Sequence, residues 1–174
     1  MNRKSREVAL CGMLCALAVV TLSCGGLLPM ATYCAPLLAM AVLLPVLEEY
    51  GPRLAIPAWA AVSILALLLV ADRETALVYV FFGWYPVLRP RIARISSPAV
   101  RFAVKLVLGN ALILTLYGLV LRLMGMTGDL LEATKLLNAV LLVLGNVVFF
   151  LLDLVLGRLT LLWHYRFRKY FFKK

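Results

Sequence analysis

Residues Leu136 to Trp163 read LLNAVLLVLGNVVFFLLDLVLGRLTLLW, and only Asp153 and Arg158 in that run carry charge. An α-helix needs about 20 apolar residues to cross the hydrocarbon core of a bilayer. The run meets that length, contains no proline, and is read as a membrane-spanning helix. Working back toward the N-terminus, five further apolar segments stand out. They cover about Val8 to Leu28, Tyr33 to Leu47, Leu54 to Val70, Thr75 to Leu88 and Val100 to Met124. The second is short and carries Pro36 and Pro45, and the fourth is also short. Pro57 falls in the first turn of the third, where a missing N–H costs least. Glu48-Glu49-Tyr50-Gly51-Pro52-Arg53 reads as a tight turn between the second and third.

Composition agrees with this reading. Of the 174 residues, 64% are hydrophobic and 15% charged, with a mean hydropathy of +1.00. A soluble domain is nearer half apolar and a quarter charged, and a chain this short cannot hide so much apolar surface from water. A soluble enzyme, a disordered tail and a disulfide-stapled module are therefore excluded. The N-terminal Arg3, Lys4 and Arg6 before an apolar run suggest a signal peptide, with Ser23-Cys24-Gly25 as a weak cleavage site. The run exceeds the 7–15 residues of a signal h-region, so it is read as an uncleaved first helix.

The net charge of +10 sorts by position. With the N-terminus inside and six crossings, the inner segments carry Arg3, Lys4, Arg6, Arg53, Arg89, Arg91, Arg94, Arg101, Lys105, Arg158, Arg166, Arg168, Lys169, Lys173 and Lys174. That is 15 of the 18 basic residues, and the outer loops keep Arg73, Arg122 and Lys135. The asymmetry follows the positive-inside rule. The expected fold is thus an all-α integral membrane protein: one domain over 1–174, a bundle of six transmembrane helices with both termini cytoplasmic. Residues 164–174 form a basic-aromatic tail suited to anionic lipid head groups. Nucleic acid is not needed to explain the charge.

Catalytic patterns are missing. His164 is the single histidine and sits among anchor aromatics, so a Ser-His-Asp or Cys-His arrangement has no footing. Cys11, Cys15, Cys24 and Cys34 contain no CxxC pair, and neither a metal site nor another cofactor is indicated. Gly25-Gly26 lacks the Lys-Ser/Thr of a phosphate loop, so the chain is not expected to act as an enzyme.

Polar groups within the apolar segments are the remaining candidates. Asp153 lies about ten residues before Trp163, roughly 15 Å deep. A carboxylate there costs about 2.5–3.5 kcal/mol on insertion scales and calls for a partner. Lys105 and Arg158 are the expected partners. An interhelical ion pair and a proton or substrate contact both fit. Leu108-Gly109-Asn110 and Leu144-Gly145-Asn146 repeat a Gly-Asn pair along the last two helices. Glycine admits a neighbouring helix and asparagine can bond across the contact, or the amides face a ligand. Tyr33, Asp72, Glu74, Tyr79 and Asn138 are the further ligand candidates, because aromatic walls with a few polar groups build small-molecule pockets. A solvated loop over Asp72 to Glu74 and a membrane belt of aromatics are the plainer alternatives.

Together these features resemble the substrate-binding S component of an energy-coupling factor (ECF) transporter. That family comprises small six-helix membrane proteins with both ends cytoplasmic. The resemblance implies capture of a vitamin, vitamin precursor or metal ion from outside. A coupling membrane protein and an ATPase pair then drive transport. Helix one of the family carries a small-xxx-small pattern, usually Ala-xxx-Ala, for docking the coupling protein. Gly12-Met13-Leu14-Cys15-Ala16 has that spacing, with Gly12 in place of the usual Ala. By the same resemblance, loops around Gly25 to Tyr33, Ala71 to Thr75 and Met126 to Lys135 would close over ligand held between helices four to six. Two readings compete with it. One is a non-transporting scaffold of a cell-envelope complex, like the rod-shape-determining membrane proteins. The other is a proton-coupled transporter using Asp153, which the lack of inverted halves disfavours.

Overall fold

The computed structural model describes residues 3–25, 31–123, 135–163 and 165. Among them lie seven helical segments and no strand: α1 (Arg3–Gly25), α2 (Ala31–Tyr50), α3 (Pro52–Leu69), α4 (Arg73–Phe82), α5 (Tyr85–Ala93), α6 (Pro98–Leu123) and α7 (Lys135–Leu162). Five stretches are long and apolar enough to cross a membrane: Glu7–Gly25, Tyr33–Tyr50, Pro52–Leu69, Pro98–Val120 and Leu142–Leu162. Large apolar side chains on these helices face outward, among them Met13, Leu68, Val107 and Leu151. Such a surface needs an apolar solvent. The described residues form helices and turns alone, and the molecule is a multi-pass membrane protein.

Two elements differ from expectation. α2 reaches Tyr50 despite Pro36 and Pro45, so the turn after it shrinks to Gly51. Gly51 takes φ 75°, a backbone conformation suited to glycine, and its N–H bonds to Leu47 O at 3.0 Å. Pro52 then opens α3, where no N–H is required.

The expected fourth helix over 75–88 is not one helix. It starts earlier because Asp72 caps α4: Oδ1 accepts from the Glu74 N–H at 3.0 Å, and Oδ2 from the Thr75 hydroxyl at 2.5 Å. It breaks at Gly83-Trp84 and resumes as α5. Pro86 explains the break. An unbroken helix would require its missing N–H to reach Phe82 O, and its ring disfavours helical geometry at Tyr85.

The described chain falls into two units. Residues up to 88, with those from 155 onward, make one, and 89–154 make the other. In the first, α1 packs on α2 and α3, while α4 packs on α2 and α3. Buried alanines (Ala18, Ala35, Ala39, Ala58, Ala66, Ala76) keep these helices close. The buried face of α3, Ala55, Ala58, Val62 and Ala66, follows the 3.6-residue period. In the second unit α6 meets α7 through two glycines. A Cβ on Gly109 would lie 2.9 Å from the Phe149 ring, and one on Gly145 would lie 3.0 Å from Ile113 Cδ1. Phe102 stacks on Phe150 with ring centroids 5.1 Å apart.

Candidate functional site

At the starts of α2 and α4 the structure brings together Tyr33, Asp72 and Glu74. The Tyr33 hydroxyl donates to Glu74 Oε1 at 2.8 Å, and both side chains are exposed. Asp72 has each carboxylate oxygen engaged in its own helix cap. Its geometry is that of a cap, whereas the Tyr33–Glu74 pair is exposed.

Tyr79 sits two turns beyond Asp72 on α4 and is fully buried. Among the described residues its hydroxyl has no hydrogen-bond partner, and neither do the buried atoms Trp59 Nε1 and Ser63 Oγ. An unpaired buried polar group costs about 1–3 kcal/mol, so three in one helix cluster demand a physical cause. They share a locality. Trp59 and Ser63 are one turn apart on α3, and α3 packs on α4. The Trp59 indole edge lies against Gly83, where a Cβ would meet Cδ1 at 2.8 Å and Nε1 at 3.0 Å. Gly83 N–H in turn donates to Tyr79 O at 2.7 Å. From α1, Cys15 points its Sγ toward Ala58 O at 3.9 Å.

The second unit holds two polar contacts between α6 and α7. Asn146 Nδ2 donates to Asn110 Oδ1 at 2.6 Å and to Leu142 O at 2.9 Å. Asn146 Oδ1 is buried without a partner among the described residues. About two turns further along α7, Asp153 binds two cations: Lys105 Nζ at 2.5 Å through Oδ2, and Arg89 Nε at 3.0 Å through Oδ1. Lys105 stands where expected, whereas Arg158 is exposed and Arg89 from α5 takes the second oxygen. Arg89 is thus more than a topology-setting loop residue, and its side chain is only 27% exposed.

Gly12 and Ala16 are both exposed, one turn apart on α1, and no described atom lies within 4 Å of where a Gly12 Cβ would be. Near the end of α7, Trp163 Nε1 donates to Glu49 Oε1 at 3.4 Å. The Asn138 side chain, His164, the basic tail from 166, and residues 26–30 and 126–134 of the expected closing loops lie outside the described residues, while the expected loop over Ala71 to Thr75 is the capped start of α4. Among the described residues no three His, Cys, Asp or Glu side chains are grouped to hold a metal ion.

The chain matches no protein family, no curated protein and no solved structure with which it was compared.

Proposed function

We propose that the chain is the substrate-capture (S) subunit of an ECF-type importer in a bacterial cytoplasmic membrane. It takes a vitamin-like small molecule from outside and leaves energy supply to a coupling membrane protein and an ATPase pair. The observation that carries this reading is the exposed Gly12–Ala16 face on an apolar helix. Small residues let another helix approach closely, and no described part of this chain occupies that face at Gly12.

The charge pattern supports six crossings with both ends inside. α4 and α5, ten and nine residues long and separated by Gly83 and Trp84, together reach about 30 Å at 1.5 Å per residue. Counted as one broken crossing, they bring the five long helices to six. The basic residues 89–101 and the basic tail then share the inner side. The capture cycle is binding followed by tilting of the whole subunit against its coupling partner, with no chemistry in this chain.

A scaffold role is the second reading, and one observation favours it. Asn110 and Asn146 bond each other, and Asp153 is neutralised by Lys105 and Arg89. These groups already serve helix packing without a ligand. Gly12→Leu and Ala16→Leu separate the two. The importer reading expects uptake to be lost while small-molecule retention by the purified chain is unchanged. Unchanged uptake in both variants would remove α1 as the docking face.

A further inference from the structure

We propose that the break between α4 and α5 is a binding site for a small uncharged molecule rich in hydrogen-bond acceptors, held by Trp59 Nε1, Ser63 Oγ and Tyr79 OH. This deepens the substrate-capture reading, on which it rests for why the chain should bind a small molecule at all.

Three independent features meet there. First, α4 ends at Phe82 and α5 begins at Tyr85; on the six-crossing reading this is a helix broken within the membrane, which is tolerated where the break is buried in protein or lines a cavity. Second, three side-chain polar groups beside the break are buried and have no partner among the described residues. Ser63 is 6% exposed and Tyr79 0%. Buried polar groups are ordinarily hydrogen-bonded, so three orphans in one place call for a common partner. Third, Gly83 leaves its side-chain position to the indole edge of Trp59, so the N–H bearing edge lies directly on the break.

The chemistry of the three groups selects the ligand. Trp Nε1–H can only donate, and the Ser and Tyr hydroxyls donate or accept. The surrounding segments, 8–25 of α1, 31–47 of α2, 54–71 with α3 and 75–88 with α4, contain no charged residue, and α2 carries Glu48 and Glu49 in its last turn. An ion placed there would have no counter-charge from those segments, and burial of an unpaired charge is prohibitive. Carbonyl oxygens or ring nitrogens on a neutral molecule satisfy the donors. The neighbouring aromatic faces of Tyr79 and Phe82, both buried on α4, suit a planar one.

The full chain is held in lipid nanodiscs, stripped of bound small molecules by repeated detergent exchange, and incubated with a deproteinised small-molecule extract of the expressing cells. Native mass spectrometry then reads the adduct. Wild type is expected to carry an uncharged adduct, and Tyr79→Phe and Ser63→Ala are each expected to lower its occupancy about tenfold, as for loss of one buried hydrogen bond. In stripped protein, Tyr79→Phe should leave Tm unchanged or raised, because the hydroxyl it removes is unpaired. No adduct on wild type, or equal adducts on wild type and both variants, overturns the site, as does a lowered Tm of stripped Tyr79→Phe. An adduct lost in the variants from a chain that assembles with no ATPase pair upholds the site and refutes the importer. Equal adducts from a chain that does assemble refute the site alone.

Discussion

The Asp153 carboxylate holds the Lys105 ammonium at 2.5 Å, joining α7 to α6 within a stretch that is otherwise apolar. Arg89 completes the contact at 3.0 Å on the other oxygen. Two cations on one carboxylate leave a net positive charge, so the carboxylate is the member that cannot be spared.

Asp153→Asn should therefore destabilise the protein more than Lys105→Met. Removing the carboxylate leaves Lys105 and Arg89 as like charges in a poorly solvated place, a loss of about 3–5 kcal/mol for a buried pair. Removing Lys105 leaves Asp153 with Arg89. Thermal unfolding in mild detergent would read this as a much lower Tm for Asp153→Asn. Equal Tm for both variants and wild type would show that the contact carries no stability.

The amide pair calls for a double-mutant cycle. Asn110→Leu and Asn146→Leu should each cost about 0.6–1.7 kcal/mol, the range measured for hydrogen bonds between membrane helices. Together they should cost less than the sum, because each single variant already removes the shared hydrogen bond. Strict additivity would mean that the two side chains do not bond.

Close packing at Gly109 makes a steric forecast. A methyl there would lie 2.9 Å from the Phe149 ring, which is buried. Gly109→Ala should cost about 1–3 kcal/mol through overpacking, and Phe149→Leu in the same chain should recover part of it. A neutral Gly109→Ala would mean that α6 and α7 separate freely.

Topology supplies a parity test. If α4 and α5 together cross the membrane, reporters fused to the N- and C-termini read the same side. If they do not, the five long helices place the termini on opposite sides. Phosphatase and fluorescent-protein fusions at both ends should report the cytoplasm, and a phosphatase-active C-terminal fusion would refute six crossings.

The long helices were legible from length alone, since a run of about 20 apolar residues exceeds the roughly 10–14 of a helix buried in a soluble core. Proline alone does not mark where a helix breaks. Pro36 and Pro45 lie within an unbroken α2, whereas Pro86 coincides with the end of one helix and the start of another. What differs is the neighbourhood: Gly83, a poor helix former, stands three residues before Pro86 and adds to the proline's missing N–H.

At the polar sites, Asp153 and Lys105 stood out as charges inside apolar helices. Arg89 did not, since it sits where an apolar run ends and a basic loop begins, and only the start of α5 carries it back to Asp153. Ser63 was invisible, because a lone serine in an apolar helix ordinarily bonds its own backbone. Only burial without a partner among the described residues marks it out.

The most direct test of the importer reading is quantitative purification of the tagged chain from its native membrane in mild detergent. One coupling membrane protein and a pair of ATPase subunits bearing phosphate loops are predicted to come with it in fixed ratio. Gly12→Leu with Ala16→Leu should lose them while the chain stays folded. A chain that purifies without any ATPase, with wild-type and variant material behaving alike, would contradict the importer.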